Sequence, residues 1–173
     1  MDNKKQEFTK IYEKEADAIY RYVVLRVSDR EEVTDIVQDT FVRLWQKLNG
    51  GDIIEYPRSF IFTVARNRII DWYRKKKPQS IDALSDNDEN ATFDIMDENI
   101  HKSIESGAEV SIVLKSLNGL SPQYREVIYL RFIEDLLPIE IAEVLDMTPN
   151  AVSVRINRGL QELREILRIG KKE

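Results

Sequence analysis

A long polar segment without helical periodicity lies in the middle of the chain and limits the fold to two small domains. Residues 79–103 are rich in Ser, Asp, Asn and Glu, a composition that buries too little apolar surface to offset the entropy lost on ordering. The 173 residues of the chain allow one ordinary domain or two small ones. We therefore predict domains at 1–78 and 108–173, joined by an acidic flexible linker at 79–107.

The N-terminal domain has the spacing of amphipathic α-helices. Apolar residues recur every three or four positions, which predicts helices over about 5–26, 30–48 and 58–76. Ser28 and Glu31 form a capping-box pattern at the start of the second helix. The third predicted helix is apolar nearly all the way round, as is typical of a mostly buried helix.

The C-terminal domain shows the same periodicity in shorter segments. Four helices are predicted, the first through Leu117 and the second with an apolar face made by Val127, Ile128, Leu130 and Phe132. Prolines at 122, 138 and 149 stand at the starts of the last three. Since the chain lacks the alternation of β-strands, the predicted fold class is all-α.

Composition excludes several classes of function. The chain has no Cys, one His and six Gly, so it offers no thiolate site, no catalytic His pair and no Gly-rich phosphate loop. It also lacks the run of about 20 apolar residues that spans a bilayer. We therefore expect a cytoplasmic protein that is not an enzyme and that needs no cofactor or metal.

Two features of the linker resemble metal sites only weakly. Asp86 to Asp97 begins like a calcium loop, but Ala91 replaces the usual Gly and Asp97 the usual Glu. His101 has no second His or Cys with which to build a zinc site. Neither feature supports a prediction of metal binding.

Charge is strongly segregated along the chain, which has a net charge of −5. Residues 66–77 contain six Lys or Arg and one Asp, whereas residues 80–110 contain nine acidic residues and one Lys. The basic run includes Asn67, Asp71 and Arg74 at helical spacing, next to Trp72-Tyr73. Cations interleaved with aromatic rings are typical of single-strand nucleic-acid binding, although we expect the two rings to lie in the core.

The segments 138–146 and 149–168 have the layout of a helix-turn-helix. In the second helix, Asn150, Val154 and Arg158 lie nearly opposite an apolar stripe, and Ser153 and Arg155 flank it. That stripe consists of Val152, Ile156, Leu160, Leu163 and Leu167. A polar, Arg-bearing first turn suits the DNA major groove, although an ordinary surface helix pair would have the same spacing.

The second helix of the N-terminal domain has a polar face opposite its apolar stripe. We call this surface the docking face, and its residues are Asp35, Gln38, Asp39, Val42 and Gln46. An acidic surface with one exposed valine suits docking on a basic partner. A solvated face without a partner would show the same pattern.

Two groups of residues together resemble the bacterial sigma factors of the extracytoplasmic-function (ECF) type, within the sigma-70 family. The run Asp35 to Trp45, with Pro57 to Phe60 and Ala65-Arg66-Asn67, is similar to the sigma-2 domain. The residues similar to the sigma-4 domain are Leu117 to Pro122, Tyr129 to Arg131, Glu140 to Ala142, and Pro149 through Arg155 and Arg158. Both domains occur in the family's order, separated by a variable linker.

The resemblance implies a function for each surface. In the family, the docking face binds the clamp coiled coil of core RNA polymerase, here through Asp35, Gln38 and Asp39. The loop at 50–56, together with Asn67, would hold a base flipped from the non-template strand of the minus-ten element. The sigma-4 domain would bind the minus-thirty-five element. The predicted DNA-binding residues are Arg66, Asn67, Asp71, Arg74, Lys75, Asn150, Ser153, Arg155 and Arg158.

The sequence departs from the family's pattern at three positions. The family often has Lys or Arg at Ser153, Gly at Asp135, and Ser or Thr at Leu137. The last change removes the usual polar cap before Pro138. These differences concern the minus-thirty-five contacts and not the domain assignment.

The predicted partners are core RNA polymerase, promoter DNA as duplex and melted strand, and an anti-sigma factor, which in this family is often membrane-anchored. One alternative is a free-standing helix-turn-helix regulator that binds duplex DNA without polymerase. A helical adaptor, in which the basic run is incidental, is a second. The first alternative would leave the docking face and the surface around Asn67 without a function.

Overall fold

The computed structural model describes residues 2–76 and 108–169, and these ranges fold as seven helices without a β-strand. The helices are α1 (Asp2–Val24), α2 (Arg30–Gly50), α3 (Pro57–Lys76), α4 (Ala108–Asn118), α5 (Pro122–Phe132), α6 (Pro138–Leu145) and α7 (Pro149–Ile169). The all-α prediction is therefore confirmed. The whole predicted linker at 79–107, including the calcium-like segment at 86–97 and His101, lies outside the described residues.

The chain divides into two compact units, Met1–Asp82 and Ala83–Glu173, called here the N-terminal and C-terminal units. In the N-terminal unit α1, α2 and α3 all pack against one another. Its core includes Ile19, Leu44 and Ile69. Tyr22 of α1 meets Phe62 of α3 edge to face, with ring centroids 5.2 Å apart, a favoured arrangement of aromatic pairs.

The caps of α2 define its length. Its N-cap is Asp29, whose carboxylate accepts hydrogen bonds from the backbone N–H groups of Glu31 at 2.9 Å and Glu32 at 3.4 Å. The capping-box prediction for Ser28 is therefore wrong, because the helix begins one residue later and the carboxylate of Asp29 reaches two free N–H groups. Gly51 ends the helix with φ at 92°, a conformation that favours glycine.

Polar contacts fasten α1 and the residues that follow it to α3, near both ends of α3. At the start, Arg58 Nε donates to the buried carboxylate of Glu15 at 2.9 Å. At the other end, the hydroxyl of Tyr73 donates to the backbone carbonyl of Arg26. Arg26 is itself buried, and its guanidinium stacks on the Tyr22 ring, 3.8 Å from the centroid.

In the C-terminal unit α7 packs against α4, α5 and α6. Val127, Ile128 and Leu130 are buried as predicted. Phe132 is 53% exposed, so its placement on the apolar face is wrong. It is the last residue of α5, and among the described residues its ring is left largely open to solvent.

Gly159 allows α5 and α7 to approach closely. A Cβ atom at this position would lie 2.8 Å from Ile128 Cγ1 and 3.1 Å from Tyr124 Cβ, well inside van der Waals contact. The sequence pattern did not single out this glycine, because it falls beside the apolar stripe and contributes no apolar side chain of its own.

Charged side chains satisfy the helix ends in this unit. Arg125 is buried and donates to the backbone carbonyls of Leu117, Asn118 and Leu120 at 2.9 to 3.0 Å, which closes the C-terminal end of α4. At the start of α5, Glu162 accepts hydrogen bonds from both the backbone N–H and the hydroxyl of Ser121.

None of the helices in 2–76 and 108–169 combines the length and hydropathy of a membrane span.

Candidate nucleic-acid and docking surfaces

The C-terminal half of α3 carries the first candidate surface, called here the basic face. Its residues are Arg66, Asn67, Asp71, Arg74 and Lys75. All are exposed except Arg66, which is partly buried. The structure therefore places the predicted amide, carboxylate and cations at the surface within about two and a half turns of one helix.

Of the aromatic pair next to the basic face, Trp72 lies in the core and Tyr73 is only partly buried. Trp72 is 9% exposed, and Tyr73 is partly buried with its ring edge to face against Trp72 at 4.7 Å. Lys76 Nζ lies 4.3 Å from the centre of the Trp72 ring, a favourable cation–π contact. These rings pack against the rest of the unit and hold α3 in place.

The loop between α2 and α3 begins at Gly51 and ends at Tyr56, whose carbonyl accepts from Ser59 Oγ at 3.0 Å and from the backbone N–H of Phe60 at 3.1 Å. Within it Ile53 is 95% exposed. Burying an isoleucine stabilises a fold by about 1.5–3 kcal/mol. The exposed side chain of Ile53 does not contribute this stability. Ile53 is not among the residues predicted from the sequence, although an apolar residue in a polar loop is a signal that could have found it.

The docking face lies at the surface of α2. Asp35, Gln38, Val42 and Gln46 are exposed, and Val42 is 50% exposed. Asp39 differs from them, because its Oδ2 lies 2.8 Å from Arg43 Nε and 2.9 Å from Arg68 Nε. Four of the five residues are therefore accessible to a partner, whereas Asp39 forms ion pairs within the unit.

Arg68 was missed as an ion-pair partner. It belongs to the basic run of α3, but its side chain turns toward α2 and is 34% exposed. Helical spacing gave no signal for this pairing, because the two residues lie on different helices.

The helix-turn-helix has a tight, defined turn. Asp146 ends α6 with φ at 51°, and the next residue, Met147, donates its backbone N–H to the carbonyl of Ala142 at 2.9 Å. Thr148 Oγ1 accepts from the N–H of Ala151 at 3.2 Å at the start of α7. Val152 is fully buried, which fixes the first turns of α7 against the unit.

The first turns of α7 form the recognition face, defined as Asn150, Ser153, Arg155 and Arg158. Three of these residues are exposed, and Arg155 is partly buried. Ser153 Oγ donates to the carbonyl of Pro149 at 3.0 Å, so its hydroxyl proton is used within the helix and its lone pairs face outward. Exposed Asn157 lies among these residues and was not singled out from the sequence.

The apolar stripe of α7 is buried along only part of its length. Ile156, Leu160 and Leu163 are partly buried, whereas Leu167 is 44% exposed. The predicted stripe therefore holds for the first four turns and is wrong at Leu167, two residues before the end of α7. Among the residues that the structure describes, no three His, Cys, Asp or Glu side chains form a potential metal site.

Comparison with known proteins identifies the family. Residues 11–79 match Sigma-70 region 2, and residues 111–163 match Sigma-70, region 4. The ECF RNA polymerase sigma factor SigW of Bacillus subtilis is 31% identical over 160 residues, which cover 88% of this chain and 84% of SigW. The chain belongs to the ECF sigma factors. It is therefore a factor that directs RNA polymerase to promoters and starts transcription there.

Other relatives agree with this sigma-factor assignment. The ECF RNA polymerase sigma factor SigL of Mycobacterium tuberculosis is 26% identical over 155 residues, covering 89% of this chain and 85% of SigL. The two regions match the N-terminal and C-terminal units in that order.

Solved structures show the same fold. The sigma factor RpoE of Bartonella quintana, in complex with the anti-sigma factor NepR, matches with a TM-score of 0.67 and 22% identity, covering 95% of this sigma factor and 98% of RpoE. CnrH in complex with the cytosolic domain of CnrY matches with a TM-score of 0.63 and 24% identity, covering 95% and 90% of the two chains.

Proposed function

We propose that this sigma factor divides initiation among its three surfaces. The docking face binds core polymerase, the basic face takes the melted non-template strand of the minus-ten element, and the recognition face reads the minus-thirty-five element as duplex. The observation that carries the proposal is the exposure of all three surfaces on helices whose opposite sides are buried.

The docking face suits a basic partner because Asp35 and Gln38 project from one side of α2 around exposed Val42. A carboxylate and an amide there can accept hydrogen bonds from Arg or Lys of a partner helix. Asp39 is already paired with two arginines of its own unit, and its direct contact with polymerase stays a prediction.

The basic face suits a single strand held by its backbone. Arg74 and Lys75 supply cations for phosphates, while Asn67, next to Arg66, offers both donors and acceptors to a base edge. Because Trp72 is buried, we assign the base pocket to Asn67 and the loop at 50–56 instead of to ring stacking. Extruding a base costs a few kcal/mol, so a pocket fitted to one base favours melting at the right sequence.

The recognition face suits the major groove. Arg158 and Arg155 can contact a guanine edge or a phosphate in a bidentate manner. Asn150, at the start of α7, can pair with adenine or with a phosphate. Ser153 in place of a cation leaves this surface with fewer phosphate contacts, so we expect a shallower dependence of binding on salt.

We also propose an anti-sigma partner, because two structurally similar proteins were solved with CnrY and with NepR. An anti-sigma factor that covers the docking face would keep this sigma factor from polymerase. We place the protein in the cytoplasm, without catalytic activity of its own, where polymerase and promoters are found.

Reconstitution tests the proposal. Purified sigma factor is mixed with core polymerase of its source, co-elution is measured, and transcript starts are sequenced on genomic DNA. We expect a stable complex and a shared two-part promoter motif. Duplex binding without any binding to core polymerase would favour a free-standing helix-turn-helix regulator instead.

Two variants separate the DNA surfaces on a promoter found in this way. We expect Arg158→Ala to weaken binding by about 1–3 kcal/mol and Asn67→Ala to reduce melting more than duplex binding. Arg164→Ala, at an exposed position later on α7, is the matched control and should change neither. Equal loss of melting and duplex binding in Asn67→Ala would contradict the assignment of the base pocket.

A further inference from the structure

Two buried positions define which side of α7 faces away from its unit. Val152 is fully buried, and a Cβ at buried Gly159 would lie 2.8 Å from Ile128 Cγ1 of α5. Positions 152 and 159 lie on the same side of α7, because a helix has about 3.6 residues per turn. Asn157 is exposed and lies about 140–160° round the helix from both of them. It therefore occupies the middle of the outer side of α7.

Uncharged side chains form the middle of this outer side. Asn150, Val154 and Asn157, called here the outer line, follow one another at helical spacing. Asn150 and Asn157 are exposed, and Val154 is 41% exposed. Arg155 and Arg158 both lie to one side of this line, and Arg155 is partly buried. The middle of the helix therefore presents amides and an apolar side chain, with the cations at its edge.

The outer line has the chemistry that reads A·T base pairs. A recognition helix in the major groove turns the middle of its outer side toward the base edges, and side chains at its edge meet the phosphates. The amide of an Asn donates to N7 of adenine and accepts from its N6 amino group, and an apolar side chain contacts the methyl group of thymine. Guanine is read by Arg, which does not occur in the outer line.

The two amides of the outer line differ in their place along α7. Asn150 is the second residue of the helix, beside the backbone N–H groups that bind phosphates at a helix start. Asn157 lies about two turns further along, next to Val154 on the same line. Asn157 is therefore the amide best placed for a base edge.

We propose that Asn157 and Val154 set the base preference of the minus-thirty-five element, and that the arginines beside them hold phosphates. Asn157 selects adenine at one base pair through a bidentate contact. Val154 packs against the thymine methyl group of a neighbouring base pair. The inference rests on the proposed function, because it requires α7 to bind duplex DNA, and it names the bases that this helix reads.

Randomised promoters test the proposal with the full chain bound to core polymerase. The minus-thirty-five element is randomised, the minus-ten element identified by transcript-start mapping is kept, and the bound DNA is sequenced. The variants are Asn157→Ala, Asn157→Arg, Val154→Ala and Arg158→Ala. Gln123→Ala is the matched amide control, because Gln123 is exposed on α5 and lies outside α7. Thermal melting of each variant reports any loss of fold.

We expect the wild-type protein to prefer adenine at one base pair by about 5- to 100-fold over the other bases. Asn157→Ala should remove that preference and leave distant base pairs unchanged, and Asn157→Arg should change it to guanine. Val154→Ala should reduce the preference for thymine at a neighbouring base pair. Gln123→Ala should change no preference.

Salt dependence separates the arginines from the outer line. Arg158→Ala should weaken binding to all sequences alike and reduce the salt slope by about 1, whereas Asn157→Ala should leave the slope unchanged. The proposal would be overturned if Asn157→Ala weakened binding to all sequences equally, or if Asn157→Arg kept the wild-type preference. Loss of the adenine preference in Arg158→Ala would also overturn it.

The same data separate this inference from the proposed function. If wild-type protein starts transcription from the kept minus-ten element but shows no base preference in the randomised region, the recognition face does not read the minus-thirty-five element, and both fail. If wild-type protein shows a preference that the Asn157 and Val154 variants leave unchanged, the proposed function stands and this inference alone fails.

Discussion

The two units differ in the length of their helices and in how much they depend on contacts at helix ends. In the N-terminal unit, three helices of 20 to 23 residues pack along their length, and its ion pairs join one side chain to another, as in Glu15–Arg58. In the C-terminal unit, α4 to α6 have only 8 to 11 residues. There, charged side chains bind backbone groups at helix ends, as Arg125 and Glu162 do.

Helix length explains the difference. Every α-helix leaves four N–H and four C=O groups without partners inside the helix. In a helix of 8 to 11 residues those groups are a large share of the backbone, and a short helix is unstable alone. The short helices of the C-terminal unit therefore depend more on such contacts than the long helices of the N-terminal unit, where Asp29 and Arg26 make similar contacts at the ends of α2 and α1.

The largest loss of stability is expected when Arg125 is replaced. Arg125→Ala removes the donor to three carbonyls at and beyond the end of α4 and should destabilise the C-terminal unit by about 3–5 kcal/mol. Hydrogen exchange of backbone amides measures the two units separately. Protection should fall in α4 and α5 and stay unchanged in α1 to α3.

Arg164→Ala is the control for charge, since Arg164 is exposed on α7, and it should leave exchange unchanged. A loss below about 1 kcal/mol in Arg125→Ala, at the level of a surface substitution, would show that the ends of α4 do not depend on this side chain.

The corresponding test in the N-terminal unit is Arg58→Ala. It leaves the Glu15 carboxylate, which is 3% exposed, without its 2.9 Å partner. We expect a loss of about 2–3 kcal/mol, less than for a fully buried pair, because the Lys14 ammonium lies only 3.8 Å from the other carboxylate oxygen. Denaturant unfolding of the variant measures this loss.

The double variant Glu15→Gln with Arg58→Ala should recover part of that stability, since no buried charge is then left unpaired. If the double variant were as unstable as the sum of the two single ones, the ion pair would not be the cause.

A smaller effect is expected at Gly159, where α5 and α7 approach. Gly159→Ala places a Cβ 2.8 Å from Ile128 Cγ1, and overpacking of about 1–3 kcal/mol is offset by about 1 kcal/mol of helix propensity. We therefore expect a net loss of up to about 2 kcal/mol in unfolding experiments. Gly50→Ala is the matched control, because nothing lies within 4 Å of a Cβ there. An equal loss in both variants would show that packing against α5 is not responsible.

These contacts show which parts of the molecule the sequence could predict. Apolar periodicity places all seven helices and the buried side of α2, because burial repeats with the helix turn. Exposure of Asn67 and Arg158 follows from the same rule. The pairing of Asp39 with Arg68, the reach of Arg125 to α4 and the clearance at Gly159 depend on how helices meet. Such contacts leave no periodic trace in one sequence.

The smallest effect concerns Asp135, where the family often has glycine. Its φ is 54°, in the left-handed region that costs a residue with a Cβ more than it costs glycine. Its ion pair with Arg131 is 3.1 Å long, but the Asp135 side chain is 90% exposed and contributes little. We expect Asp135→Gly to stabilise the C-terminal unit by about 0.5 kcal/mol, measured by denaturant unfolding.

Asp135→Ala, which keeps a Cβ and loses the same carboxylate, should instead destabilise it. The difference between these two variants isolates the backbone conformation from the ion pair, and equal stabilities would show that this turn relaxes without cost. A measurable backbone effect here would mean that the short helices of the C-terminal unit depend on the conformation of the connections between them, as well as on the charged side chains at their ends.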